Sequence, residues 1–156
     1  MKKTIGYKSK GYGVLNIIIL IPIIVIIIGS IRNFLHPFAI LYMFFIAILG
    51  VYMIFRFFEH LNHPINILSY DASYFYINNG DHEEKIAILN VEHVQAKNYV
   101  SRYAFFPFGR LEIHTKDGIF YTGYVSYVAY VAKKISTIVN HHKDMKHQFL
   151  IDQLYD

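Results

Sequence analysis

The stretch from Gly11 to Phe58 constrains this chain more than any other. Between Lys10 and Glu59 its only formally charged side chains are Arg32 and Arg56. Arg32 divides it into two apolar runs, each close to the ~20 residues that a helix needs to cross the hydrocarbon core of a bilayer. The pattern predicts a transmembrane helical hairpin over residues 13–58. It divides the chain into a basic cytoplasmic N-terminus at 1–12, the hairpin, a folded domain at 64–140 and a basic, His-rich tail at 141–156.

Within the hairpin, the first helix is expected over Val14 to Ile31. Pro22 kinks it, and lipid tolerates the kink because neighbouring groups re-satisfy the freed carbonyl. Asn16 lies near the cytoplasmic end, where an amide costs little. A short connection, Ser30 to Pro37, carries Arg32, Asn33 and His36, and the second helix runs from Pro37 to Phe58 with Pro37 in its first turn. Ala47 and Gly50 are small enough to let the first helix approach closely. Phe55, Phe57 and Phe58 beside Arg56 have the composition of an interfacial belt.

Lys2, Lys3, Lys8 and Lys10 precede the first run, and Arg56, His60 and His63 follow the second; the connection holds one arginine. The positive-inside rule then puts both termini in the cytoplasm and the connection outside, as in a multi-pass protein of the inner (plasma) membrane. A cleaved signal peptide also begins with lysines. Here the run is too long, no small-x-small site follows Gly29-Ser30, and a second run comes at once.

Composition adds exclusions. Of 156 residues 54% are hydrophobic, with the excess in the first third, and the formal charge of +4 is too small and scattered to argue for nucleic acid. The chain has no cysteine, which removes disulfides, thiolate catalysis and thiolate metal sites. Abundant Tyr, Phe, Ile, Lys and Asn without Trp point to an AT-rich bacterial genome.

From Pro64 the hydrophobic period switches towards two. Ile65, Ile67 and Ser69 line one face of a first strand, and Asp71-Ala-Ser reads as a turn. Tyr74, Tyr76 and Asn78 alternate with Phe75 and Ile77 in a second strand, which Asn78-Asn-Gly-Asp ends. Lys85–Leu89 and Val91–Tyr103 follow as third and fourth strands. Ala104-Phe-Phe-Pro-Phe-Gly109 is expected to be a loop, because Pro107 has no donor for a sheet centre. Arg110–Thr115, with Leu111 and Ile113 inward, pairs through Lys116-Asp-Gly118 with Ile119–Tyr124. Ser126 is a plausible N-cap for a closing helix whose stripe is Val128, Val131, Ala132, Ile135, Ile138 and Val139.

Antiparallel hairpins followed by one amphipathic helix make an α+β fold, here a bent sheet or partial barrel closed by the C-terminal helix. Three segments carry a family resemblance: Lys85-Ile-Ala-Ile with Val91-Glu-His-Val94, then Phe108 to Gly118, then Val125 to Ile138. They resemble bacterial pleckstrin-homology-like domains, of the membrane-anchored kind with two transmembrane helices. The resemblance covers about half the chain, and it calls for seven strands where only six can be placed. It implies membrane association, protein contacts and self-assembly, with no shared catalytic residues, cofactor or metal. Phosphoinositide binding is not carried over, because the first hairpin loop, Asn78 to Glu84, is acidic and repels a phosphate.

Several clusters invite a chemical reading. Asp81, His82, Glu83 and Glu84, or His141, His142, His147 and Asp144, hold ligand types for a cation, yet neither spacing matches a known metal motif, and solvated residues account for both. His60 and His63 mark the junction between hairpin and domain. The interaction candidates are Phe105, Phe106 and Phe108 around Pro107, with Lys133 and Lys134 on the closing helix. The phenylalanines either stand out to meet an interface or a partner, or fold back under the sheet.

The expected function is therefore non-enzymatic: a membrane-anchored domain mediating assembly or partner binding at the cytoplasmic face. Its partners are the bilayer and a second copy or other membrane proteins, and not nucleic acid. Two alternatives stay open, a lipid or small-ligand sensor at the leaflet, and an accessory subunit of a transporter, envelope-stress or immunity system.

Overall fold

The sheet begins before the apolar stretch. In the computed structural model, which describes residues 2–31, 37–80, 82–101 and 104–155, Lys3–Tyr7 forms strand β1. Helices α1 (Lys10–Ile31) and α2 (Pro37–Asn62) follow, then strands β2 (Asn66–Tyr70), β3 (Tyr74–Asn78), β4 (Glu83–Ala87), β5 (Val91–Ser101), β6 (Ala104–Thr115) and β7 (Gly118–Tyr121), and helix α3 (Val128–Tyr155). The chain divides into two units, Lys10–Asn62 and the remainder, Met1–Ser9 with His63–Asp156. Helical hairpin and sheet are therefore not consecutive: the hairpin is inserted between the first and second strands. The connection with Arg32, Asn33 and His36, and also Asp81, Arg102 and Tyr103, lie outside the described residues.

In the larger unit the strands form two antiparallel sheets, ordered β1-β2-β3-β4 and β5-β6-β7, with α3 after them; they do not close into a barrel. The expectation set 1–12 apart as a basic flank and placed six strands. The seventh is β1, whose Lys3 and Thr4 pair with Tyr70 and Ser69 of β2. Its short run, Lys-Thr-Ile-Gly-Tyr, has too little alternation to stand out beside four lysines. Pairing supplies what the local pattern lacks: Ile5 is buried, Lys2 bonds Glu83 at 2.8 Å, and its ammonium lies over the Tyr76 ring.

The core forms between the sheets and α3. Phe75, Ile77, Leu68, Leu111, Ile113 and Ile135 are fully buried, each contributing about 1.5–3 kcal/mol of apolar transfer. Leu111 and Ile113 point inward as expected, and so does the stripe of α3. β2 departs from its expected alternation. Ile65 stands 73% exposed, while Ile67 and Leu68 are both buried, because Ile67 packs towards Gly123 on the opposite side of the strand.

The turns behave as their chemistry dictates. The Asp71 carboxylate accepts the Ser73 and Tyr74 amides, both at 2.8 Å, and the Tyr76 hydroxyl at 2.6 Å. Gly80 and Gly118 take positive φ, 99° and 144°, which a residue without Cβ adopts at little cost.

Helix ends and loop assignments need correction. α3 starts at Val128, and Ser126 does not cap it; the Ser126 hydroxyl donates to the Lys8 carbonyl at 3.4 Å instead. The helix also runs on through 141–155, where the sequence left extension and fraying both open. The His142 ring holds this extension, with Nδ1 2.9 Å from the Ile138 carbonyl and Nε2 3.0 Å from that of Ala72, while Lys143 donates to the Val91 carbonyl at 2.7 Å. The largest correction concerns 104–109, expected as a loop and found as the first half of β6. Among the described residues β7 pairs with Glu112–Thr115 and no strand pairs with Pro107 on its second side. A missing donor there breaks no ladder.

In the smaller unit, α1 and α2 are long and apolar enough to cross a membrane, over Lys10–Gly29 and Ile40–Asn62. α1 contains Pro22. Gly50 is buried against Ile23, giving the close approach expected of it. His60 is buried edge-on against the Tyr12 ring, with centroids 5.0 Å apart. Most of the large aliphatic and aromatic side chains on both helices remain exposed, among them Ile18, Val25, Ile28, Phe44, Val51 and Phe55.

Candidate interaction surface

The first half of β6 and the last part of β5 make a hairpin arm that extends beyond β7. Its register pairs Lys97 with Arg110, Asn98 with Gly109, Val100 with Phe105 and Ser101 with Ala104, with an irregularity between Asn98 and Val100. Because strand side chains alternate, the arm has two faces of opposite character.

Its inner face is a ring cluster. Phe108 is 4% exposed and stacks on Tyr99 at 5.6 Å; Phe106 meets Tyr99 at 5.7 Å and Phe108 at 5.3 Å. Tyr124 closes the cluster edge-on against Tyr99 and Phe108, and the Arg110 guanidinium lies 4.6 Å from the Tyr124 centroid. Ring pairs at these separations add about 0.5–1.5 kcal/mol each beyond their buried area. Those contacts stiffen an arm that a two-stranded ribbon alone would leave loose.

Its outer face is apolar and bare. Phe105 is 86% exposed, its cross-strand partner Val100 is 57% exposed, and Pro107 is exposed beside them. The two arrangements open to the phenylalanines are thus both used: Phe108 folds under, Phe105 stands out, and Phe106 lies between. Sequence reasoning missed Val100, Tyr99 and Tyr124. The period-two spacing of Tyr99 in β5 and of Phe106 and Phe108 in β6 carries that signal, but only once 104–109 is read as a strand.

Lys133 and Lys134 lie exposed on α3 and take no part in the ring cluster. The structure does not join them to the phenylalanines in one site. Lys143, Lys146 and His147 of α3 border, with Leu89 and Asp144, an open recess of about 410 Å³. A neighbouring recess of about 230 Å³ is lined by Tyr74, Ala87, Ile88, Leu89 and His142 among others. Neither converges several polar groups on an enclosed volume, as ligand sites do.

Among the described residues no group of three His, Asp or Glu side chains is placed to hold a metal ion. Glu83 instead bonds Lys2, and His141 and His142 meet edge-on. The most perturbed titrating pair outside the helical hairpin is Asp71 with Tyr76. The Tyr76 hydroxyl, backed by the Ser73 and Tyr74 amides, lowers Asp71 to about 2, and the Asp71 carboxylate raises Tyr76 to about 12. Both shifts follow from a turn that needs the carboxylate ionised and the phenol protonated. That is a structural role. No family model matches this chain, and no curated protein matches its sequence.

Proposed function

We propose that this chain is a two-helix membrane protein whose sheet domain is pleckstrin-homology-like. In this reading the domain sits at the cytoplasmic face of a bacterial plasma membrane and mediates assembly or partner binding without catalysis. The observation that carries it is the pairing of β1 with β2 across the inserted helices. One folded sheet cannot lie on both sides of a bilayer, so helices joining two of its strands must cross an even number of times. A lone signal anchor is incompatible with that pairing, and cleavage after the first helix would remove β1 from its sheet. The exposed apolar shell of α1 and α2 supports the bilayer as its solvent. Seven strands followed by one helix supply the count that the family resemblance calls for.

Lysine bias supplies the orientation. Because the chain lacks cysteine, single substitutions give clean reporters. Lys133→Cys should be shielded from a membrane-impermeant maleimide in intact cells, and Asn33→Cys should be labelled. The opposite pattern refutes the orientation. A photo-crosslinking residue at position 133 or 134 should capture a second copy or a protein partner in native membranes. Recovery of monomer alone from both positions counts against assembly. The reading in which the domain touches the leaflet is favoured by one specific feature, the bare Phe105–Val100 pair.

A further inference from the structure

One imidazole on α3 lies between two carbonyl oxygens. His142 Nδ1 is 2.9 Å from the Ile138 carbonyl oxygen, and Nε2 is 3.0 Å from that of Ala72. A carbonyl oxygen only accepts, and a neutral imidazole carries a single N–H. In either neutral tautomer one nitrogen therefore turns a lone pair towards an oxygen lone pair at hydrogen-bond distance. The imidazolium has two N–H groups and makes both bonds. A bond from a charged donor is also roughly twice as strong as a neutral one. The two contacts coexist as hydrogen bonds in the protonated ring alone.

The ring's place in the fold makes that proton matter. Among the described residues Val139 is the last of α3 to be buried, and the helix runs on to Tyr155, about four turns further. Two side-chain bonds tie this extension to the sheets among the described residues: His142 to Ala72, in the turn between β2 and β3, and Lys143 to the Val91 carbonyl at 2.7 Å. Of the two, only the first involves a side chain of the type that changes charge between pH 5 and 8. On the helix itself His141 meets the ring edge-on at 6.2 Å, with Lys143, Asp144 and Lys146 nearby in sequence. From the facing turn comes Asp71, its carboxylate taken by the Ser73 and Tyr74 amides and the Tyr76 hydroxyl. From β3 comes Tyr74, which lines the same recess as His142 and has the Lys85 ammonium over its ring at 3.7 Å. Among the described residues no carboxylate pairs with the His142 ring, so the two carbonyls decide which charge state docks.

We propose that His142 is a protonation-controlled latch for the C-terminal part of α3. With the ring charged, the helix is pinned to the turn between β2 and β3, and His142 walls the recess of about 230 Å³ that it shares with Ala72, Tyr74, Ile88 and Leu89. With the ring neutral, one of its two contacts turns repulsive and the ring leaves Ala72. The extension from His141 onward then works free of the sheets, while the buried stripe up to Val139 holds the rest of the helix in place. The latch is therefore closed on the acid side of the range in which histidines titrate and released on the alkaline side. It operates inside the sheet unit, whatever α1 and α2 cross.

Amide hydrogen exchange of the full chain in detergent tests this, read by mass spectrometry over 141–155 and, as an internal reference, over 128–139. Rates are divided by the intrinsic exchange rate at each pH. Protection over 141–155 should fall about fivefold or more from pH 5 to pH 8, the factor that one net hydrogen bond is worth. The 128–139 reference should hold steady. His142→Gln, which takes up no proton in this range, should flatten the response. His141→Gln alters the neighbouring ring, which makes neither carbonyl contact, and should leave the response in place. A wild-type chain whose 141–155 protection is constant with pH overturns the proposal. So does a response that survives His142→Gln, or one that His141→Gln abolishes. Parallel loss of protection over 128–139 overturns it as well, because pH then acts on the whole domain and not on the extension.

Discussion

Gly109→Ala probes the base of the arm most directly. At Gly109 the β6 backbone lies tight against that of β5. A Cβ added there would meet the Lys97 carbonyl oxygen inside van der Waals contact, with the Asn98 Cα and Lys97 carbonyl carbon both 2.8 Å away. These are backbone atoms, so no side chain can rotate aside. Relief requires β6 to move off β5, which breaks the two bonds to Val125. Overpacking of this kind costs about 1–3 kcal/mol, and two lost backbone bonds add about 1 kcal/mol each. The sum is about 3–5 kcal/mol. At about 4–8 °C per kcal/mol for a domain near 100 residues, the melting temperature should fall by at least about 12 °C. Near-UV circular dichroism of the full chain in detergent, dominated by its tyrosines, reads this. Gly123→Ala is the control, because its Cβ would meet only the end of Ile67 at 3.4 Å and the His63 ring at 3.9 Å. A Gly109→Ala protein melting within about 2 °C of wild type, well under the shift expected for 1 kcal/mol, would refute the close strand contact and with it this construction of the arm.

Three further predictions follow from single contacts. Phe108→Ala should destabilise the domain by about 3–5 kcal/mol, whereas Phe105→Ala should leave its stability within about 0.5 kcal/mol; equal effects in chemical denaturation would contradict the two-faced arm. Asp71→Asn should melt below wild type on a plateau between about pH 4 and pH 10, the ordinary carboxylate and phenol values. Asp71 is held to about 2, so its contribution is complete above pH 4 and lost as pH falls through 2; Tyr76 is raised to about 12, so its contribution is complete below pH 10 and lost as pH rises through 12. The gap between the two proteins should therefore close at both extremes, and a gap constant with pH would rule out the ionised turn. Asn16→Leu removes a buried amide whose Nδ2 has no hydrogen-bond partner among the described residues, so the helical unit should gain about 1 kcal/mol against detergent-induced unfolding. A clear loss would mean that the amide has a partner.

Local chemistry was readable where one residue's neighbours in sequence are also its neighbours in space. The alternation of Leu111 and Ile113, the Gly118 turn, the α3 stripe and the Gly50 approach all depend on spacings of a few residues. Partnership across long separations was not readable. Lys3–Tyr7 looked like a basic flank because its strand character comes from Asn66–Tyr70, beyond the inserted helices. Pro107 argued for a loop because a lone sequence cannot say that β7 stops short of it. Ser126 had the right residue type for a helix cap, and the nearby Lys8 carbonyl took its hydroxyl instead.

By itself the sequence determined two membrane-length apolar helices, an α+β remainder built from hairpins and one helix, and an aromatic segment around Pro107. Those properties follow from hydrophobic period and from local backbone restrictions. Only the tertiary structure decided that the helices interrupt a sheet, and that Phe105 and Phe108 face opposite ways on one arm. It also decided that Lys133 and Lys134 stand apart from both. Register and strand pairing are set by burial on two faces at once, and burial is a property of the whole fold.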